Sequence, residues 1–181
     1  YSNTAPLKLT VSGVMSFDGA NGTFYPSVTQ GNEVITLDSN LIFNNGNNSF
    51  NNYPSAVVTT THNVSITIAG NLTCNNGINN FSAGRGDLTG TINGDLIISG
   101  GTLSLKSNSA YSPIIINVLG GFSMSNGNFF YTNNATVPPI TTTVTINSDD
   151  DNTGDFVHSG GTINFVNNTL NPTVQSLTIK S

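Results

Sequence analysis

The stretch INGDLIISGGTLSLKS, from Ile92 to Ser107, decides the fold. Apolar residues alternate with polar ones on both sides of the pair Gly100–Gly101. Side chains of a strand point alternately to its two faces, so this pattern predicts two short strands that meet at a glycine turn. A glycine-rich ligand loop is the other interpretation. No helix that could bind a phosphate at its N-terminus follows, which favours the turn.

The same unit occurs six times in one phase, and its copies follow one another at the interval expected of a solenoid repeat. We define the anchor as the first apolar residue of each central strand. Apolar residues recur two and nine positions after the anchor and four and six before it, and glycine follows four or five after it. The sixth unit fits if SDDDN bulges out, so that Val144 and Ile146 take these places. The anchors are Met15, Leu41, Leu72, Leu96, Phe122 and Phe156.

The repeat predicts an all-β chain, a single parallel β-solenoid of about six coils of roughly 24–34 residues, with little or no α-helix. Each coil has three short strands, and coils stack about 4.8 Å apart. The usual chirality of parallel connections favours right-handed coiling. Residues 1–181 form one domain on this interpretation. An antiparallel sandwich explains the alternation but not the repeated phase. The aromatic residues nine positions after the anchor are expected in the core: Phe24, Phe50, Phe81, Tyr131 and Phe165.

Composition excludes several classes of function. Only 7% of residues are charged, the net charge is −5, and the four cations are scattered. Such a chain cannot neutralise a row of phosphates, so we expect no nucleic-acid partner. The single cysteine, Cys74, allows no intrachain disulfide and is expected in the core. No apolar run approaches the length that a membrane-spanning helix requires, so we expect no membrane span in this segment.

The pattern G-N/D-L-x-I-x-x-G-x-L-x-L, from Gly94 to Leu105, resembles the repeats of large secreted surface adhesins of Bacteroidetes. It is less similar to autotransporter passenger domains. The resemblance implies a secreted or cell-surface protein in which solenoids act as stalks or adhesive surfaces.

In VQSLTIKS, Leu177 and Ile179 have the phase of a seventh coil. We therefore expect the chain to be a fragment of a longer repetitive protein that continues beyond Ser181.

A file of outward residues precedes the anchors by five positions and is the first candidate binding surface. A flat threonine array could bind a repeating surface such as a polysaccharide or ice. Threonine is also a favoured residue at any exposed strand position, and the neighbouring file is mixed. The members of the file are Thr10, Thr36, Thr67, Thr91, Asn117, Thr145 and Thr178.

The segment SDDDNTGD, from Ser148 to Asp155, is the candidate metal site. Carboxylate oxygens are the ligands that Ca²⁺ prefers, and a cation would relieve their mutual repulsion. The segment lacks the later glutamate of an EF-hand, and a solvated acidic loop is the alternative. The ligands would be Asp149, Asp150, Asp151 and Asp155; no cofactor is otherwise required.

No catalytic set stands out. Asp95 and Asp155 share the position before the anchor but lie two coils apart, and Asn and Gly at that position indicate a turn. The Arg-Gly-Asp tripeptide within Gly84–Leu88 is weak without context. We therefore expect a non-catalytic structural or adhesive module. Its partners would be the rest of a larger surface protein, and glycans or neighbouring chains. The expected contact loops are Asn51–Asn63, Phe81–Asp87, Asn133–Thr142 and Asn147–Thr153. The alternatives are a binding module that uses the threonine file and a fragment of a carbohydrate-active β-helix enzyme.

Overall fold

A computed structural model describes residues 7–19, 21–24, 32–50, 63–82, 87–106, 113–132, 142–147, 156–164 and 175–180. The strands follow one another coil by coil, and the described residues contain no helix. Coil 1 contains β1 (Leu7–Val11) and β2 (Met15–Phe17), and coil 2 contains β3 (Glu33–Leu37), β4 (Leu41–Phe43) and β5 (Asn47–Ser49). Coil 3 contains β6 (Val64–Ile68), β7 (Leu72–Cys74) and β8 (Ile78–Ser82). Coil 4 contains β9 (Leu88–Ile92), β10 (Leu96–Ile98) and β11 (Thr102–Lys106). Coil 5 contains β12 (Ile114–Val118), β13 (Phe122–Met124) and β14 (Asn128–Thr132). Coil 6 contains β15 (Thr142–Asn147), β16 (Phe156–His158) and β17 (Thr162–Asn164), and β18 (Gln175–Lys180) follows it.

Three parallel sheets run along the stack, which confirms the predicted solenoid and excludes the antiparallel sandwich. Sheet 1 has the order β1-β3-β6-β9-β12-β15-β18, sheet 2 the order β16-β13-β10-β7-β4-β2, and sheet 3 the order β17-β14-β11-β8-β5. The strands pair in parallel because each one lies beside its counterpart in the next coil. In coil 1, Thr23 pairs with Ser49 through an isolated bridge where the other coils have a sheet 3 strand.

The strand register matches the repeat phase residue for residue. Leu72 pairs with Leu96 where the repeat is shortest, and Phe122 pairs with Phe156 where it is longest. Val118 pairs with Ile146, as the predicted bulge in the sixth unit requires. Leu177 pairs with Val144, so β18 lies in the predicted phase of a seventh coil.

The interior contains apolar columns and stacked rings. In sheet 1 strands such as β9 and β12, buried side chains alternate with exposed or half-buried ones. Phe50 stacks between Phe24 and Phe81, with ring centroids 5.3 and 5.9 Å away. Tyr131 is fully buried. Phe165, the last member of the predicted stack, lies outside the described residues.

The corner between sheets 2 and 3 is built from left-handed glycine. Five glycines, each five positions after its anchor, have φ between 68° and 95° there. A side chain at this corner would strike the neighbouring coil, since a Cβ on Gly101 would lie 2.5 Å from the Gly77 carbonyl oxygen. Glycine is therefore required for both backbone conformation and stacking distance. The five are Gly46, Gly77, Gly101, Gly127 and Gly161.

Candidate functional site

The strand register places the outward threonine file in one unbroken column across the seven strands of sheet 1. Thr91 illustrates its orientation, because Gly90 and Ile92 on either side are buried. Thr10 and Thr178 at the two ends are exposed, and the five residues between them are half-buried. With about 4.8 Å between strands, seven members span about 29 Å. In stacking order the column is Thr10, Thr36, Thr67, Thr91, Asn117, Thr145 and Thr178.

A second outward column lies two residues earlier in each strand and has mixed composition. Its aliphatic members Val34 and Ile115 are 37% and 43% exposed. The outer face of sheet 1 therefore combines hydroxyl and β-branched aliphatic groups, with Lys8 as the charged member at one end. The second column is Lys8, Val34, Ser65, Thr89, Ile115, Thr143 and Ser176.

The predicted calcium ligands Asp149, Asp150, Asp151 and Asp155 lie outside the described residues. So do most of the predicted contact loops. In the Arg-Gly-Asp tripeptide, only Asp87 belongs to the described part. It is exposed, and its backbone carbonyl accepts a 2.8 Å hydrogen bond from the Val64 N–H. Among described residues, no group of three or more His, Cys, Asp or Glu could hold a metal ion. In that same part of the chain, no helix is long and apolar enough to cross a membrane.

Asp95, the carboxylate considered for catalysis, belongs to a ladder at the corner between sheets 1 and 2. Asn40 Oδ1 accepts a hydrogen bond from the Asn71 N–H at 2.7 Å, and Asn71 Oδ1 accepts one from the Asp95 N–H at 2.8 Å. Asp95 Oδ1 in turn accepts one from the Gly121 N–H at 2.8 Å. Each short polar side chain thus satisfies a backbone donor in the next coil, which is a structural use of the carboxylate.

A second ladder runs along the exposed end of sheet 2. Asn44 donates through Nδ2 to Asp18 Oδ1, Asn75 donates to Asn44 Oδ1 at 2.7 Å, and Ser99 donates to Asn75 Oδ1 at 2.9 Å. Ser16 also donates to Asp18, at 2.7 Å. The hydrogen bond from Asn44, and then that from Ser16, lowers the pKa of Asp18 below its ordinary value of 3.8, because both stabilise the charged form.

Polar side chains also lie inside the solenoid, behind the glycine corner. Asn48 and Asn79 are fully buried, and Asn48 Nδ2 donates to Asn79 Oδ1 at 2.8 Å. Asn79 Nδ2 lies 3.3 Å from the Cys74 sulfur, and the thiol donates to the Gly100 carbonyl at 3.4 Å. Burial raises the pKa of Cys74 to about 11. The thiol is therefore a core group and not a nucleophile, as predicted.

Two further titratable residues have the register of inward columns. Glu33, the only glutamate of the chain, is 1% exposed and lies between Leu7 and Val64. His158 pairs with Met124, but it is exposed in the last described strand of sheet 2. Its Nε2 lies 3.3 Å from the Gly161 carbonyl oxygen. Within the described part, neither residue belongs to a cluster that could hold a metal ion.

Sequence reasoning missed the cross-coil bonding of the asparagines. Asn or Asp recurs immediately before the anchor and again three positions after it, and both recurrences are visible in the repeat. Their pattern indicates turn residues, which explains their local role but not their bonds to the next coil.

No family model, no curated protein and no solved structure matches this chain. The strand register alone establishes the parallel solenoid. The resemblance to Bacteroidetes adhesins remains an expectation from the repeat pattern.

Proposed function

We propose that this chain is a non-catalytic structural module, a stiff segment of a larger secreted or cell-surface bacterial protein of the adhesin type. The observation that carries the proposal is the double linkage between coils. Parallel backbone ladders join each pair of neighbours, and side-chain bonds such as Asn40–Asn71 and Asp95–Gly121 add to them. Such a stack resists bending and can space a binding part from the cell.

Three of the described carboxylates support the non-catalytic part of the proposal. Asp18 and Asp95 hold neighbouring coils, and Glu33 is buried. The contact loops named from the sequence would supply any adhesion to glycans or to neighbouring chains. Turnover of a neutral polysaccharide that Asp95→Asn abolishes would overturn this part.

Single-molecule stretching tests the mechanical role. A chain held between two reference domains should extend in coil-sized steps of roughly 80–120 Å, the extended length of one coil. Asp95→Ala should lower the force of the steps, while Asp95→Asn, which keeps the accepting oxygen, should preserve it. Extension without a force plateau, as for an unfolded chain, would contradict the mechanical role.

The unbroken column of sheet 1 supports a second candidate, binding to an uncharged repeating surface such as a polysaccharide or ice. A glycan array and an ice-recrystallisation assay would test it. Thr91→Lys places a charge in the middle of the column and should abolish binding. Ser123→Lys places the same charge on the outer face of sheet 2 and should leave it intact. No response of the unmodified chain in either assay would eliminate this candidate.

We also propose calcium binding by Asp149, Asp150, Asp151 and Asp155, supported by ligand type alone. Millimolar Ca²⁺ should then raise the melting temperature, because a ligand that binds only the folded state stabilises it. An unchanged melting temperature would eliminate the site.

A further inference from the structure

Five asparagines of the chain are followed by glycine, and all five are exposed: Asn21, Asn45, Asn76, Asn93 and Asn126. Asparagine is thermolabile, and glycine has no side chain to shield its backbone nitrogen from the preceding carboxamide. Exposure does not distinguish the five pairs. The hydrogen bond made by the glycine N–H distinguishes four of them, the pairs that end in Gly22, Gly46, Gly77 and Gly94.

At two of the pairs, the glycine N–H points at the side chain of the asparagine before it. The nitrogen of Gly46 lies 2.8 Å from Asn45 Oδ1, and the nitrogen of Gly77 lies 2.8 Å from Asn76 Oδ1. The carbonyl bond is about 1.2 Å long, so Cγ of each asparagine lies next to that contact. Both pairs occupy the left-handed corner, with glycine φ of 95° and 83°.

At two other pairs, the glycine N–H is held by a different coil. The N–H of Gly94 donates to the Gly70 carbonyl at 3.0 Å, and the N–H of Gly22 donates to Asn48 Oδ1 at 2.9 Å. The nitrogen of each glycine can attack the preceding carboxamide only after this bond breaks. The stack therefore protects Asn93 and Asn21.

We propose that Asn45 and Asn76 are sites of spontaneous conversion to aspartate and isoaspartate, and that Asn93 and Asn21 are protected from it. The glycine nitrogen forms a bond to Cγ, and the Cγ–Nδ2 bond breaks. The proton lost by the glycine nitrogen leaves with Nδ2 as ammonia. Water then opens the cyclic imide at either carbonyl, giving aspartate or isoaspartate. Hydroxide promotes the first step by removing the proton from the glycine nitrogen.

The conversion alters backbone carbonyls that accept hydrogen bonds from buried asparagines of the solenoid. Asn48 Nδ2 donates to the Asn45 carbonyl and Asn79 Nδ2 donates to the Asn76 carbonyl, each at 2.7 Å. In isoaspartate each of these carbonyls becomes part of a free carboxylate, and the backbone runs through Cβ and Cγ instead, so it gains a methylene. The corner has no room for it, since even a Cβ on Gly77 would lie 2.1 Å from the Gly46 carbonyl oxygen. Conversion therefore loosens the corner and adds a negative charge to each of two neighbouring coils.

Peptide mapping of the folded chain, incubated at mildly alkaline pH, tests the proposal. Each conversion adds about 1 Da, and chromatography separates aspartate from isoaspartate peptides. Asn45 and Asn76 should convert about fivefold or more faster than Asn93 and Asn21, since one net hydrogen bond supplies a factor of that size. Equal rates at all four asparagines in the folded chain, or faster conversion of Asn93 or Asn21, would overturn the assignment.

The unfolded chain is the control. In denaturant, all four asparagines precede an unprotected glycine and should convert at similar rates. If the ranking of the folded chain persists in denaturant, local sequence sets it and the proposed protection is wrong.

Discussion

The backbone N–H of Gly121 donates a 2.8 Å hydrogen bond to Asp95 Oδ1, one coil away. Asp95 thus serves as an acceptor for a buried donor, because Gly121 itself is buried. The same corner holds Asn40 and Asn71 in the equivalent role. Short polar side chains at this corner therefore contribute to the cohesion of the stack.

Replacing Asp95 by alanine should lower the free energy of unfolding by about 1–3 kcal/mol, because the buried Gly121 N–H loses its acceptor. Replacing it by asparagine should cost less than about 1 kcal/mol, because the carboxamide oxygen still accepts. Chemical denaturation of the two variants measures both values. Equal losses for alanine and asparagine would show that the ladder bond does not stabilise the fold.

Alanine substitutions at two glycines distinguish the effect of backbone strain from the effect of crowding between coils. Gly101→Ala should lower the free energy of unfolding by about 2–5 kcal/mol, for two reasons. The φ of 68° strains a residue that has a side chain, and the added Cβ would lie 2.5 Å from backbone atoms of Asn76 and Gly77. Gly13→Ala should cost only about 1–2 kcal/mol, because its φ is 99° but no atom lies within 4 Å of the added Cβ. Thermal or chemical unfolding compares them. Similar losses would mean that strain alone requires glycine at the stacked corner.

The lowered pKa of Asp18 predicts how the stability of the fold changes with pH. A carboxyl whose pKa is lower in the folded state stabilises the fold above its unfolded value. That contribution is lost as the pH falls below 3.8 and through the folded value. Asn44→Ala removes the main hydrogen bond and should raise the pKa of Asp18 toward 3.8, as an NMR titration would measure. Asn75→Ala, one coil further along, keeps the Asn44 amide and should shift it less.

Cys74 should react with an alkylating reagent only when the chain unfolds. The thiol is fully buried and its pKa is raised from 9.0 to about 11, so little thiolate forms in the folded state at neutral pH. Because the folded state retains this proton longer, the free energy of unfolding should fall as the pH rises from about 9 to about 11. Mass spectrometry would follow labelling, with the chain in denaturant as the reactive control. Rapid labelling of the folded chain would contradict the burial.

The sequence predicted the solenoid because alternation of period two and a repeated phase specify the same stack. The pairing of Val118 with Ile146 shows that the prediction holds even in the irregular sixth unit. The bulge needed to align these two residues is inferred from the apolar phase alone. The acidic segment and most contact loops lack that periodicity, and their residues fall outside the described part.

The hydrogen-bond partners of the polar side chains could be identified only from the tertiary structure. Asn40, Asn45 and Asn48 are all compatible with turns, and although alternation places Asn48 on the same side as Phe50, it identifies no hydrogen-bond partner for any of the three. In the stack, Asn40 bonds to the next coil, Asn45 to its own glycine, and Asn48 to a buried partner.

By itself, the sequence determined which residues stack above one another and which of them face the interior, because period two and repeat phase are local properties. Only the tertiary structure decided that Asp95 holds Gly121, that the Cys74 thiol contacts Asn79 and the Gly100 carbonyl, and which glycine N–H groups bond to another coil. A short side chain reaches about 3 Å for a hydrogen bond. Its partner is therefore whatever the neighbouring coil places within that distance.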